Sequence, residues 1–173
     1  MSRRAWLGAA LAVALVVFGP SAAKRGLARH NAHRLAQLKG HEVYDPRADA
    51  AALYAEAEAR ARESNKRLLV ILGGNWCEWC LSLDALMRDD LEVHDFMAAH
   101  FVVVKLDSAR AEELDRRWGE PAEKFGVPVL VFLDPSGNVA HVQETTSLER
   151  WGGRLLGHDR DRVLAVLRAN ASR

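Results

Sequence analysis

Apolar positions along this chain fall into stripes and short runs that alternate between two periodicities. Residues 48–63 are nearly all Ala, Glu, Arg and Leu, and Ala50, Leu53, Ala57 and Ala61 recur at helical spacing, which predicts a helix with a narrow apolar stripe ended by Ser64-Asn65. Leu68–Leu72 is a continuous apolar run, the pattern of a strand buried on both faces, and Gly73-Gly74-Asn75 closes it. The segment Trp76-Cys77-Glu78-Trp79-Cys80 leads into a second helical stretch with Leu83, Leu86 and Met87 on one face. Asp89 or Asp90 is placed to cap a further helix carrying Val93, Phe96 and Met97. Phe101–Leu106 predicts a second buried strand, Ala109–Trp118 a charged surface helix and Val129–Leu133 a third strand. Asp134-Pro135-Ser136-Gly137 has proline and glycine where a type I turn takes them, so Val139–Val142 reads as the returning strand. Asp159–Ala169 is a last amphipathic helix with Val163, Leu164 and Leu167 facing inward. Strands that alternate with helices and end in a hairpin imply an α/β fold, a mixed central sheet flanked by helices.

The N-terminal end follows a different pattern. Arg3 and Arg4 precede an apolar run from Ala5 to Phe18, Gly19-Pro20 breaks it, and Ser21-Ala22-Ala23 supplies small residues for cleavage. This is the layout of a secretory signal peptide over residues 1–23. At about 1.5 Å per residue the run falls short of a ~30 Å hydrocarbon core, although extension to Ala23 would nearly span it as an uncleaved anchor. Residues 24–44 are basic, lack a long apolar stripe and read as a solvated linker; His30 and His33 could share a helix face and hold a metal weakly. Asp45-Pro46 punctuates the chain, so the folded domain is expected over 45–173.

Charge and cysteine content narrow the function. With 24 basic and 23 acidic side chains the net charge is +1, which leaves no electrostatic footprint for nucleic acid or anionic lipid. Two cysteines are too few for a disulfide scaffold or a two-pair zinc site, and enough for one redox pair.

That pair is Cys77-x-x-Cys80. Two intervening residues at a strand-to-helix junction hold the Cα atoms within disulfide reach. Cys77, exposed at the helix start, meets unpaired N–H groups and the helix dipole, which favour a thiolate; Cys80 lies one turn in and deeper. Cys77 is therefore the candidate attacking sulfur and Cys80 the resolving one. A metal site needs about four ligands, and a two-residue loop gains little from a purely structural bridge. Glu78 puts a negative charge beside Cys77, which disfavours the thiolate and moves the couple toward the reducing end, the reductase or isomerase direction.

Leu68–Cys80, with Trp76 directly before the first cysteine, resembles the active-site region of the thioredoxin family. Gly126-Val127-Pro128, the apolar strand after it and the Asp134–Gly137 turn resemble that family's cis-proline loop and hairpin. Lys105 falls where thioredoxins carry a lysine near the active site. The resemblance runs from about Ala48 to Leu167, in family order, and is nearest to exported bacterial thioredoxin-like proteins related to thiol:disulfide interchange proteins. It implies a thioredoxin-like fold, with the CxxC pair at a strand-to-helix junction and a cis-Pro loop. It implies that Pro128 is cis and faces Cys77, leaving Val127 backbone groups to pair with an extended substrate beside Trp76. It implies disulfide exchange with cysteine-containing client proteins, no organic cofactor, no metal, no nucleic acid, and a membrane or soluble redox partner. With the leader, it implies a periplasmic protein, or one anchored in the membrane and facing the periplasm.

Two departures bear on the chemistry. Glu78-Trp79 stands where thioredoxin has Gly-Pro, and an exposed Trp79 would suggest a protein-binding rim. Ile71 stands where thioredoxin has a buried aspartate that assists proton transfer, which leaves the proton acceptor for Cys80 unassigned, with Glu78 a candidate. Lys105 either tunes the pair or simply ends a strand. His94, His100, His141 and His158 carry no spacing signal. Two other classes stay open: a copper-handling thioredoxin-fold module using Cys77, Cys80 and a histidine, and a protein-interaction module with idle cysteines.

Overall fold

The computed structural model describes residues 22–171. The leader expected over residues 1–23 therefore lies outside the described residues, save its last two. Among the described residues no helix is long and apolar enough to cross a membrane.

Residues 22–38 form a helix, α1. This differs from the linker expected there: the segment lacks an apolar stripe but is rich in Ala, Arg and Leu, which are strong helix formers. A compact unit then runs from Leu38 to the C-terminus, so the folded domain begins before the expected residue 45. Leu38 and Tyr44 are both buried in it.

The elements that follow are α2 (Ala50–Ser64), β1 (Arg67–Gly73), α3 (Glu78–Asp89), α4 (Leu91–His100) and β2 (Phe101–Asp107). Then come α5 (Glu112–Arg117), α6 (Pro121–Phe125), β3 (Val129–Leu133), β4 (Val139–Glu144), a single 3-10 turn (Thr146–Leu148) and α7 (Arg160–Asn170). Capping carboxylates set three helix starts. Asp49 accepts from the Ala51 and Ala52 N–H groups, Asp90 from Val93, and Asp159 from Asp161 and Arg162.

The sheet order is β2-β1-β3-β4. β1 pairs parallel with β2 and antiparallel with β3, and β3 pairs antiparallel with β4, so the sheet is mixed as expected. β1 and β3 are covered on both faces, which is why their sequences read as continuous apolar runs. One face packs Leu68, Val70 and Leu72 against α2 and Trp118. The other packs Leu69 and Ile71 against Leu83, Met87, Val93 and the α7 residues Val163, Leu164 and Leu167. On α2, Tyr54 takes the buried position while Leu53 is only partly covered. The charged helix expected over Ala109–Trp118 is shorter, and the unexpected α6 follows it. The breaks between them are Gly119 and Glu120, both at positive φ.

Candidate functional site

β1 delivers the chain to the cysteines through Gly73-Gly74-Asn75-Trp76. Cys77 N–H donates to the Gly74 carbonyl at 3.0 Å, closing the turn, and Cys77 then serves as the N-cap of α3. Its sulfur accepts the Cys80 N–H at 3.1 Å, the capping geometry that also favours a thiolate once the pair is reduced. Cys77 and Cys80 form a disulfide with Cα atoms 5.2 Å apart. Both sulfur-bearing residues are covered: Cys80 is 0% exposed and Cys77 only 7%. The expectation of an exposed Cys77 is thereby corrected, because the loop before β3 lies over it. The Val127 carbonyl oxygen stands 3.5 Å from Cys77 Sγ, and the Val127–Pro128 peptide is cis. Pro128 is buried, and its carbonyl accepts the hydroxyl of Thr145, the residue directly after β4, at 2.7 Å, which pins this loop.

The three residues before Trp76 are each placed against a neighbouring group. A Cβ on Gly73 would collide with the phenol of buried Tyr44, so that position needs a bare backbone, whereas a Cβ on Gly74 would meet only the exposed indole of Trp76. Asn75 Oδ1 accepts the N–H groups of Val43 and Tyr44 at 2.9 and 3.0 Å, and its Nδ2 donates to the Tyr44 carbonyl at 2.7 Å. Tyr44, 1% exposed, packs with Cys77 and Cys80 in one cluster, bordered by Val43, Trp79 and Val127. Burial raises the Tyr44 hydroxyl well above the usual phenol range, helped by the negative charges of Asp84 and Asp107, so it stays protonated.

The remaining expected residues lie around this centre. Ile71 is buried in β1 and is the register partner of Lys105 in β2. Lys105 Nζ binds the carboxylate of Asp84 on α3, whose other oxygen accepts from Arg88 at 2.9 Å. Glu78 is exposed in the first turn of α3. Trp76 is 71% exposed beside Cys77. Trp79 is half-buried, so the condition for a protein-binding rim there is not met; the ring of His158 meets it edge-on at 5.7 Å. His158 is buried, and neither ring nitrogen has a hydrogen-bond partner among the described residues. Burial lowers its pKa to about 4. His141, by contrast, is exposed on β4. Among the described residues no group of three or more His, Cys, Asp or Glu side chains is placed to hold a metal ion.

Sequence reasoning passed over Tyr44, Asp84 and Thr145 and found no signal for His158. Their roles come from contacts across the fold rather than from local pattern. The double glycine closing β1 is the one local signal, since adjacent glycines at a strand end mark close approach by another group.

The family model described as thioredoxin-like matches residues 49–135 of the chain. The chain belongs to the thioredoxin-like family. The matched segment holds α2 through β3, with both cysteines, Lys105 and the cis-proline loop. Disulfide bond reductase DsbH of Chlamydia pneumoniae is 28% identical over 92 residues, which are 49% of this chain and 55% of that protein. The chain thus spans about half the length of this curated relative. The structure of a disulphide isomerase from Xylella fastidiosa Temecula1 is similar at a TM-score of 0.61 and 27% identity, covering 75% of this chain and 97% of that one. A thioredoxin from Thermus thermophilus shares the fold at a TM-score of 0.51 and 24% identity, covering 67% of this chain and 82% of that one.

Proposed function

We propose that this thioredoxin-like protein is a thiol–disulfide oxidoreductase that exchanges disulfides with cysteine-containing client proteins, in the reductase or isomerase direction. The observation that carries the proposal is the Cys77–Cys80 disulfide at the N-terminus of α3, with the Val127–Pro128 backbone against Cys77. The likeness to a named disulfide bond reductase and a named disulphide isomerase supports it.

In the reduced protein, the Cys77 thiolate attacks a client disulfide, forming a Cys77–client bond and releasing one client thiol. Cys80 then loses its proton, and its sulfur bonds to Cys77 Sγ. The Cys77–client bond breaks, and the second client thiolate leaves and takes up a proton. Two electrons pass from the dithiol to the client, and the Cys77–Cys80 disulfide remains. A dithiol redox partner, soluble or in the membrane, restores the reduced pair. The chemistry calls for no organic cofactor and no metal. An extended client strand pairs with the Val127 backbone, and the exposed Trp76 offers it an apolar contact. The leader pattern of residues 1–23 supports export to the periplasm, either as a soluble domain or held by an uncleaved anchor.

Insulin reduction by the dithiol form tests the activity. Cys80→Ser should trap mixed disulfides with clients and Cys77→Ser should not. Copper titration of the same dithiol form separates the metal-handling alternative, which would require tight stoichiometric binding and no insulin reduction. Equal trapping by both cysteine variants would overturn the assignment of attacking and resolving sulfurs.

A further inference from the structure

Tyr44 lies outside the segment matched to the family, which begins at residue 49, yet it belongs to the cluster that contains both cysteines. Two independent features hold it there. Its ring fills the space a side chain at residue 73 would need, directly after the strand that leads to the pair. Its backbone is gripped on both N–H and carbonyl by Asn75, two residues before Cys77. A side chain fixed from both ends, 1% exposed and packed on Cys77 and Cys80, forms one wall of the site.

We propose that Tyr44 is a positioning residue of the redox pair: its ring walls off Cys80, so that exchange with outside sulfur compounds is confined to Cys77. The inference rests on the redox reading of the pair and adds what decides between the two sulfurs. Exchange rates depend on which sulfur can be reached and on how much of it is thiolate. An apolar wall acts on both: it blocks approach, and by desolvation it keeps the Cys80 thiol protonated until Cys77 carries a client. The ring suits this role because its hydroxyl stays neutral beside Asp84 and Asp107, so the wall adds no charge. When resolution occurs, the Cys80 proton leaves, Cys80 Sγ bonds to Cys77 Sγ, and the Cys77–client bond breaks with release of the client thiolate.

The test uses the full chain with one cysteine at a time and a small aromatic disulfide, 5,5′-dithiobis(2-nitrobenzoate), as the probe. In the Cys77→Ser background, Tyr44→Ala should speed reaction at Cys80 by at least about tenfold and move the pH midpoint of the rate downward, a change worth about one pKa unit. Tyr44→Phe should restore the parent rate, because the ring and not the hydroxyl forms the wall. Asn75→Ala, which keeps the ring but frees the backbone grip so that the ring can swing away from Cys80, should speed Cys80 in the same direction by a smaller factor. In the Cys80→Ser background, Cys77 should change by less than about threefold on Tyr44→Ala. Tyr54→Ala, in the separate cluster with Trp118, controls for loss of stability and should leave the Cys80 rate where it was. An unchanged Cys80 rate in folded Tyr44→Ala, or an equal rise in Tyr54→Ala or Tyr44→Phe, would overturn the proposal. Should Tyr44→Ala not fold, Asn75→Ala decides: no rise at Cys80 there overturns it. Wild-type protein that fails to reduce insulin counts against the oxidoreductase reading alone, since the probe rates do not depend on client activity.

Discussion

Lys105 is held by the carboxylate of Asp84, an ion pair that ties β2 to the same helix that carries both cysteines. Asp84 is 6% exposed and Lys105 30%, and Arg88 completes the group at 2.9 Å. Lys105 is therefore neutralised by a carboxylate of α3, and in the sheet it stands in register with Ile71. Removing a single member of a buried charge group leaves the others uncompensated.

Asp84→Asn should consequently destabilise the protein by about 1–2 kcal/mol, because Lys105 loses its partner while Arg88 keeps Asp89. Lys105→Met should cost about 1 kcal/mol, since Arg88 still faces the carboxylate. The double variant should be more stable than the sum of the two predicts, with a coupling of about 1 kcal/mol. Urea denaturation of the four proteins measures this cycle. Strict additivity would mean that the pair contributes nothing beyond its separate members.

Gly73→Ala offers a second stability test, placed on the active-site strand. The added methyl would meet the Tyr44 ring, which Asn75 prevents from withdrawing. Overpacking of this kind costs about 1–3 kcal/mol. Tyr44→Leu, with a shorter side chain, should recover part of that loss in the double variant. A Gly73→Ala protein as stable as wild type by thermal melting would show that the ring shifts freely.

The contrast between what the residues announce and what they conceal follows the range of each interaction. β1, β3 and α7 are legible because a strand covered on both faces, or a helix with one, leaves its pattern in contiguous residues. The cysteine pair and Gly126-Val127-Pro128 are legible because each motif is local. Tyr44 is not: its partner Asn75 is 31 residues away, and nothing near residue 44 signals a buried ring. Thr145 reaches Pro128 across 17 residues through one hydroxyl, a contact no periodicity encodes. α6 escapes notice for another reason, since five residues bounded by positive φ at Glu120 and Gly126 are too few to show a helical stripe. His158 sits in a glycine-rich loop whose fold back onto Trp79 depends on Gly157 and on its bridge to Glu149.

His158 gives the protein an acid sensitivity with a definite sign. Its pKa is about 4 in the folded protein against an ordinary 6.5, lowered by burial. Between those values the unfolded chain binds a proton that the folded chain does not, so stability rises with pH through this window. The contribution is fully present above about pH 6.5 and is lost as pH falls toward 4, for a total of about 3 kcal/mol. His158→Phe, which keeps a ring against Trp79, should flatten this part of the profile. Urea midpoints near pH 7 and near pH 4.5, compared for both proteins, read it directly. An equal drop in the two would assign the acid lability to other groups.

The potential of the redox couple is set by what faces Cys77, and the structure separates the contributors. The α3 N-terminus and the Cys80 N–H stabilise a Cys77 thiolate, which favours the reduced form and raises the potential. Glu78 opposes them from the first turn with a charge that repels the thiolate. Lys105, engaged with Asp84, supplies no free positive charge, and no base lies between the cysteines. The couple should therefore fall near the reducing value typical of thioredoxins, about −270 mV, rather than the strongly oxidising one, about −120 mV. Glu78→Gln should raise it, and because Glu78 is exposed to screening solvent the shift should be about 10 mV, well under the 30 mV that a tenfold change in the constant requires. Lys105→Met should shift it by a similarly small amount. Equilibration of each protein with glutathione of known ratio measures all three. A wild-type value near the oxidising extreme would assign control of the couple to the backbone donors of α3, and would overturn the proposed reductase or isomerase direction.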